Sequence, residues 1–228
     1  MENPYITQAL FAFLRELKAN NNRDWFNANK NRYVDEVRQP LLDMIEEFAP
    51  HLNAISPHYL AIPKASGGSL FRIYRDTRFS KNKLPYKTHA GIQFRHEAGK
   101  DAHAPGFYLH LEPGGVFVGM GVWHPETSVL TAIRQAIVDD PERWKRTISE
   151  PGFSEAFVLG GDRLKRPPKG FDADHTLIED LKRKDYFGVC LLSEDDALAP
   201  DFLTHLAEIW DRSRGFMQFL TEAMGLPF

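Results

Sequence analysis

The sequence predicts an α+β fold: a largely antiparallel sheet, with a central meander, on which N-terminal and C-terminal helices pack. Three observations carry this. Apolar residues recur at helical spacing through residue 57, the period changes to two from Ser69, and helical spacing returns after 125 around one more apolar run, 186–192. The chain therefore divides into a helical part (1–57), a β-rich part (66–124) and a mixed α/β part (125–228).

Thr7 is placed to cap a first helix with Leu10, Phe11, Leu14 and Leu17 on one side. Asn20, Asn21 and Asn22 end it, because Asn tolerates the left-handed conformation that follows a helix. Asp24 opens a second helix with Trp25, Phe26, Tyr33 and Val37 inward. Pro40 starts a third over Leu41, Leu42, Ile45 and Phe48, and Pro50 and Pro57 close the region. Alternation predicts strands over 70–75 and 88–95, with a loop at 76–87 between them and a polar connection at 99–106 after them. Strands over Phe107–Glu112 and Val116–Trp123 follow, joined by Glu112-Pro113-Gly114-Gly115. Pro then Gly at the central positions suits a type II turn, so these two strands form a hairpin. Gly119 and Gly121 leave bare backbone on one face of the second strand, which suits close packing there.

Beyond the sheet, Thr127 or Ser128 caps a helix through Ile133 and Ile137, and Pro141 starts another over Trp144 and Ile148. Short helical segments are expected over 153–159 and 177–184, and Tyr186–Leu192 reads as a strand. One long final helix from Ala199 or Pro200 carries Phe202, Leu206, Ile209, Trp210, Phe216, Phe219 and Leu220, with Gly215 as its weak point.

Composition narrows the function classes. With 43% hydrophobic and 12% aromatic residues there is ample material for a core. The net charge of −3 argues against general coating of DNA. A single cysteine, Cys190, excludes an internal disulfide framework and a multi-cysteine zinc site; its apolar surroundings suit a small buried hydrophobe. No signal peptide and no membrane span is visible, so the chain reads as cytoplasmic.

Against that acidic background, Arg72 to His89 holds six Lys/Arg and one acid, Asp76. The window carries +5 and the rest of the chain −8. Arg72, Arg75, Arg78, Lys81, Lys83 and Lys87 suit either convergence on an anion, with Arg forks and Lys point charges, or a solvated face paired with surface acids.

The run R-I-Y-R-D-T-R-F-S-K-N-K-L-P-Y-K-T-H resembles the bacterial and fungal family known as domain of unknown function 2461, whose hallmark is R-D-x-R-F-S-x-x-K-x-P-Y-K. N-N-R-D-W-F-x-x-N-K, F-Y-L-H-L-E-P-G-G and L-K-R-P-P-K-G-F-D also look familial. The resemblance covers nearly the full length and implies one family domain over residues 1–228. It brings no established activity; it implies that Arg75, Asp76, Arg78, Phe79, Ser80, Lys83, Pro85, Tyr86 and Lys87 belong to a motif.

For an anion site, Arg75 and Arg78 are the forks, Asp76 orients a guanidinium, Ser80 and Thr88 add hydroxyl donors and Tyr86 a stacking ring. Arg72, Lys83 and Lys87 supply further charge, Pro85 restrains the loop, and Lys165 and Lys169 of a second basic segment are expected to face the same cleft. Phe79 is expected in the core. His110/Glu112, His124/Glu126 and Asp172/Asp174/His175 offer metal-type donors, but no diagnostic ligand spacing appears and no metal is expected. Nor is there a nucleophile elbow, Walker loop or dinucleotide fingerprint, so no catalytic residue and no cofactor follow. The leading reading is a domain binding an anionic small molecule, a nucleotide or a nucleic-acid backbone. An enzyme acting on a phosphoester and a protein-interaction domain stand as alternatives. Oligomeric state is not legible.

Overall fold

The computed structural model describes residues 3–99 and 104–228, so the middle of the polar connection at 99–106 lies outside it. Helix α1 (Gln8–Ala19) buries Leu10, Phe11, Leu14 and Leu17, and Phe13 as well; Thr7 stands at its N-cap without a side-chain bond. Asn20 closes α1 through its N–H to Glu16 O, and Asn22 caps α2 (Arg23–Ala28) by accepting from the Trp25 N–H.

From Lys30 the chain is helical without a break to Ile55: α3 (Lys30–Arg32), a π-helical stretch (Tyr33–Arg38) and α4 (Gln39–Ile55). The sequence predicts separate helices meeting at Pro40 and an end at Pro50. A proline ring collides with the carbonyl four residues back in a regular α-helix, and the wider π turn, Tyr33–Arg38, holds the residue four back from Pro40. Pro50 lies inside α4, where burial of Leu52 and Ile55 carries the helix past it.

Strands β1 (Tyr59–Leu60), β2 (Ala90–His96), β3 (Gly106–Leu111) and β4 (Val116–Val122) precede α5 (Thr127–Asp139), α6 (Pro141–Ser149) and α7 (Pro151–Ala156). Then come β5 (Val158–Leu159), α8 (Ile178–Leu181), β6 (Tyr186–Leu192), α9 (Glu194–Leu198), α10 (Phe202–Asp211) and α11 (Arg214–Ala223). The six strands form one antiparallel sheet in the order β1-β2-β3-β4-β6-β5. The β3–β4 turn has the expected form: the Gly115 N–H bonds Glu112 O at 2.9 Å and Gly114 takes φ +75°.

Other expectations change as well. Residues 70–75 are no strand: Phe71 N–H reaches Gly91 O and Gln93 N–H reaches Ser69 O, after which the chain leaves the sheet to pair with itself. The helix over 153–159 stops at Ala156 because Val158 and Leu159 pair with β6. The final helix is two, α10 and α11, separated at Ser213, whose buried hydroxyl donates to Trp210 O at 2.7 Å. Cys190 is half-buried, since burial falls along β6 toward its C-terminal end, and that burial raises its thiol pKa.

Alternation sorts the sheet into two faces. On one, Phe94, Phe107, Val118 and Met120 are buried beneath helices from both ends of the chain. Phe48 of α4, Phe94, Phe107 and Trp210 of α10 meet with ring centroids 5.3–5.6 Å apart. The other face carries Tyr108, His110, Phe117, Gly119, Gly121 and Val189, and leaves Val158 75% and Leu191 80% exposed.

The two glycines on that face differ. Gly121 has φ +124°, and a Cβ there would lie 2.2 Å from Tyr186 O; at Gly119 the closest atom, Gly188 O, would be 3.5 Å away. Gly121→Ala is expected to cost at least about 2 kcal/mol, through left-handed strain and backbone overlap. Gly119→Ala should stay within about 0.5 kcal/mol of wild type. Thermal melts of both variants check this; equal melting temperatures would contradict it.

Candidate functional site

The basic motif is a hairpin. Arg75 N–H bonds Pro85 O at 2.9 Å, Lys87 N–H bonds Ile73 O at 2.8 Å, and Tyr74 bridges Tyr86. It is held to α2 by a side-chain amide acting as a strand edge: Asn21 donates to Tyr86 O at 3.0 Å and accepts from Tyr86 N–H at 3.1 Å. The Tyr86 ring stacks on Phe26, centroids 4.1 Å apart, and is 4% exposed. Tyr86 thus packs most of its ring in the core. Phe79 does the opposite of what its type suggests. It is 94% exposed at the hairpin tip, with the Arg78 guanidinium 5.8 Å from its ring centroid.

Those tip contacts sort the cations. Arg78 makes a fork to Asp76, with Nη2 at 2.7 Å and Nε at 3.0 Å, and its N–H also bonds that carboxylate. These bonds hold Asp76 down to about 2. Lys83 Nζ donates to Thr77 O at 2.8 Å. Arg78, Asp76 and Lys83 therefore shape the hairpin. Ser80 makes no hydrogen bond among the described residues, and Thr88 donates to Glu112 at 2.9 Å.

At the base of the hairpin, Arg72 lies near Lys87, and Lys87 and Arg75 lie near His89. Arg72 makes no hydrogen bond or ion pair among the described residues, and Arg75 makes one long bond, to Leu84 O at 3.4 Å. Half-buried Lys87 lies over the Phe71 ring at 5.1 Å; burial lowers its pKa first, and the nearby Arg72 lowers it further. His89 follows, pushed down to about 4 by burial, then by His110, with Lys87 and Arg75 adding repulsion that Glu112 partly offsets. Arg75 also lines, with Arg23, Asn27, Tyr74, Thr77, Pro85 and Tyr86, a polar cleft of about 360 Å³. A larger concavity, about 630 Å³, lies elsewhere between α6 and α11, where Arg143 is already paired with Glu222 at 2.6 Å; it holds none of the motif.

The His89 ring meets a second histidine. Its centroid is 4.3 Å from that of His110, which stacks on Phe117 at 4.5 Å. His110 Nδ1 is 3.0 Å from the Tyr108 hydroxyl and Nε2 is 3.4 Å from Glu112 Oε2. Glu112 Oε1 accepts from Thr88 and lies 3.6 Å from Lys18 Nζ. His89, His110 and Glu112 bring donor atoms within 4.8 Å of one another. His110 and Glu112 share a face by strand alternation; no spacing along the chain signals that His89 joins them, because β2 and β3 are paired only in the fold. The other metal-type groups do not gather. His124 faces Asp185 at 3.6 Å, and Asp172 and His175 bond backbone N–H groups of their own turns.

Lys165 and Lys169 stand apart. Both are exposed, on a segment tied by Leu164 N–H to Lys182 O and Lys184 N–H to Asp162 O, just before β6 begins. That is the β5–β6 edge, at the end of the sheet where β3 starts; the hairpin rises from the β1–β2 edge at the opposite end. The two basic segments are anchored at diagonally opposed corners, so the expectation of one shared cleft fails. Asn21 and Arg23, by contrast, join the site unforeseen; their signal was the N-N-R-D-W-F segment.

The depressed His89 pKa sets a direction with pH. Between about 4 and the ordinary value near 6.5, the unfolded chain binds more protons than the folded one, so this contribution is whole above about pH 6.5 and is lost as pH falls toward 4. His89→Gln should flatten the fall of the melting temperature over that range. Proton NMR should show the His89 ring still neutral at pH 6; a midpoint near 6.5 would contradict the geometry.

No curated protein and no solved structure is matched by this chain. The model of one family, described as "Conserved hypothetical protein (DUF2461)", matches residues 9–219, which carry the helices, the sheet and the hairpin alike. The chain belongs to that family.

Proposed function

We propose that the chain binds a phosphate-bearing or similarly anionic ligand at the base of the hairpin, through Arg72, Arg75, Lys87 and His89. One observation carries this reading: Arg72 and Arg75 form no ion pair among the described residues, and half-buried Lys87 has Arg72 as a neighbouring like charge. Among the described residues Lys87 forms no ion pair, and Glu112, which partly offsets the repulsion at His89, is already engaged by Thr88 and Lys18. A bound anion relieves that repulsion, and forks from Arg make directed, charge-assisted bonds to it. The cleft beside Arg75 and Arg23 gives a ligand larger than phosphate, such as a sugar phosphate or nucleotide, a place to extend. Phosphoester turnover is the second reading, favoured by His89, His110 and Glu112 standing beside the cations.

Calorimetry against inorganic phosphate, a sugar phosphate, a nucleoside monophosphate and a short single-stranded oligonucleotide tests the proposal. Arg72→Ala or Arg75→Ala should weaken binding more than tenfold, since a bond to a charged group contributes ~1.5–3 kcal/mol. Lys87→Ala should weaken it less, and Arg78→Ala should leave it nearly unchanged because that guanidinium is held by Asp76. A phosphate ligand should raise the His89 titration midpoint. Salt should weaken a single phosphate gently and an oligonucleotide steeply. No binding by the folded wild type, or loss with Arg78→Ala alone, overturns the reading.

A further inference from the structure

We propose that His89, His110 and Glu112 form a binding site for a divalent transition-metal ion, zinc being the class that fits best. The residues come from the end of the motif, the C-terminal end of β3 and the β3–β4 turn. They are brought together by the β2–β3 register, in which Ala90 faces Leu111 and Gly91 faces His110. Two imidazoles and one carboxylate form a donor set that suits zinc and other borderline metals, and three protein ligands leave a position open to water or substrate.

The distances agree with that chemistry. His110 Nε2 and Glu112 Oε2 are 3.4 Å apart, and two donors of a tetrahedral zinc, each about 2.0–2.2 Å from the ion, stand about 3.4 Å apart. This separation is long for a charge-assisted hydrogen bond. The three donor atoms lie within 4.8 Å of one another, so a small inward turn of the side chains completes the set.

The surroundings also fit. Glu112 is anchored through Oε1 by Thr88 and Lys18, which leaves Oε2 turned to the histidines. His110 Nδ1 has the Tyr108 hydroxyl at 3.0 Å as the outer partner that fixes a ligating imidazole. On binding, the one ring proton of His110 sits on Nδ1 and donates to the Tyr108 oxygen, and Nε2 faces the ion. Phe117, stacked against the ring, fixes its plane. Lys87 and Arg75 repel a cation at His89, so the ion is expected to be exchangeable. The inference does not depend on the anion reading.

The test uses the full chain, stripped with a chelator and titrated with zinc by calorimetry and with cobalt(II) by visible absorption. One equivalent of zinc, and a cobalt spectrum of low-coordinate type that zinc abolishes, are expected; magnesium should not compete. His89→Gln, His110→Gln and Glu112→Gln should each lower zinc affinity at least tenfold while the metal-free melting temperature shows the chain folded. Tyr108→Phe, which keeps the ring and removes the outer partner, should lower it about tenfold, and it serves if a ligand variant does not fold. Absence of stoichiometric uptake by wild type, or wild-type affinity in the ligand variants, overturns the proposal. Phosphate titrations of the metal-free protein keep the two readings apart: phosphate binding without zinc uptake sinks only this inference, and zinc uptake without phosphate binding sinks only the anion site.

Discussion

The alternation of β3 holds the molecule to one arrangement. Phe107, Leu109 and Leu111 point into the layer beneath the helices, and Tyr108 and His110 point away from it. A slip of one residue would turn an imidazole and a phenol toward the layer that holds Trp210 and turn three large apolar side chains to the other face. Burying an apolar side chain contributes about 1.5–3 kcal/mol, so the register is fixed by the core. The position of His110 and Glu112 relative to β2 is a consequence of that packing.

A second constraint joins the hairpin to the helical part. Two hydrogen bonds between the Asn21 amide and the Tyr86 backbone, with the Phe26–Tyr86 stack beside them, fix the strand that leads to Lys87 and His89. The Asp76–Arg78 fork and the Lys83–Thr77 bond stiffen the exposed tip at little energetic gain, since exposed ion pairs contribute on the order of 0–1 kcal/mol. Rigidity at the base and self-pairing at the tip leave Arg72, Arg75 and Lys87 without an ion pair among the described residues. Three of the four segments that carry the family resemblance meet here: the one with Asn21, the motif itself, and the one with His110 and Glu112. The fourth, with Lys165 and Lys169, sits at the far corner of the sheet.

Much was legible in the sequence because it rests on local rules. Helical spacing located α1, period two located β3 and β4, and Pro113-Gly114 specified the turn between them. The run from Tyr186 to Leu192 is a strand with those bounds. The family and the place of the unusual charge were legible from the same motif. Local rules misled where packing opposed them. Pro50 reads as a helix end, yet the buried residues beyond it keep α4 going. Residues 70–75 alternate like a strand, yet Ile73 and Tyr74 find their partners within the hairpin.

By itself, then, the sequence determined the α+β class, the hairpin at 107–122 and the basic motif, since each is set by residue spacing or turn chemistry within a few positions. Tertiary structure alone decided that Tyr86 is buried and Phe79 exposed, that Arg78 is held by Asp76, and that Lys165 and Lys169 lie apart from the motif. It also decided that His89, on one strand's approach, meets His110 and Glu112 on the next. The physical reason is the same in each case: burial and pairing between distant segments depend on the register of strands and the docking of helices, and no spacing along the chain encodes which side chain will face which.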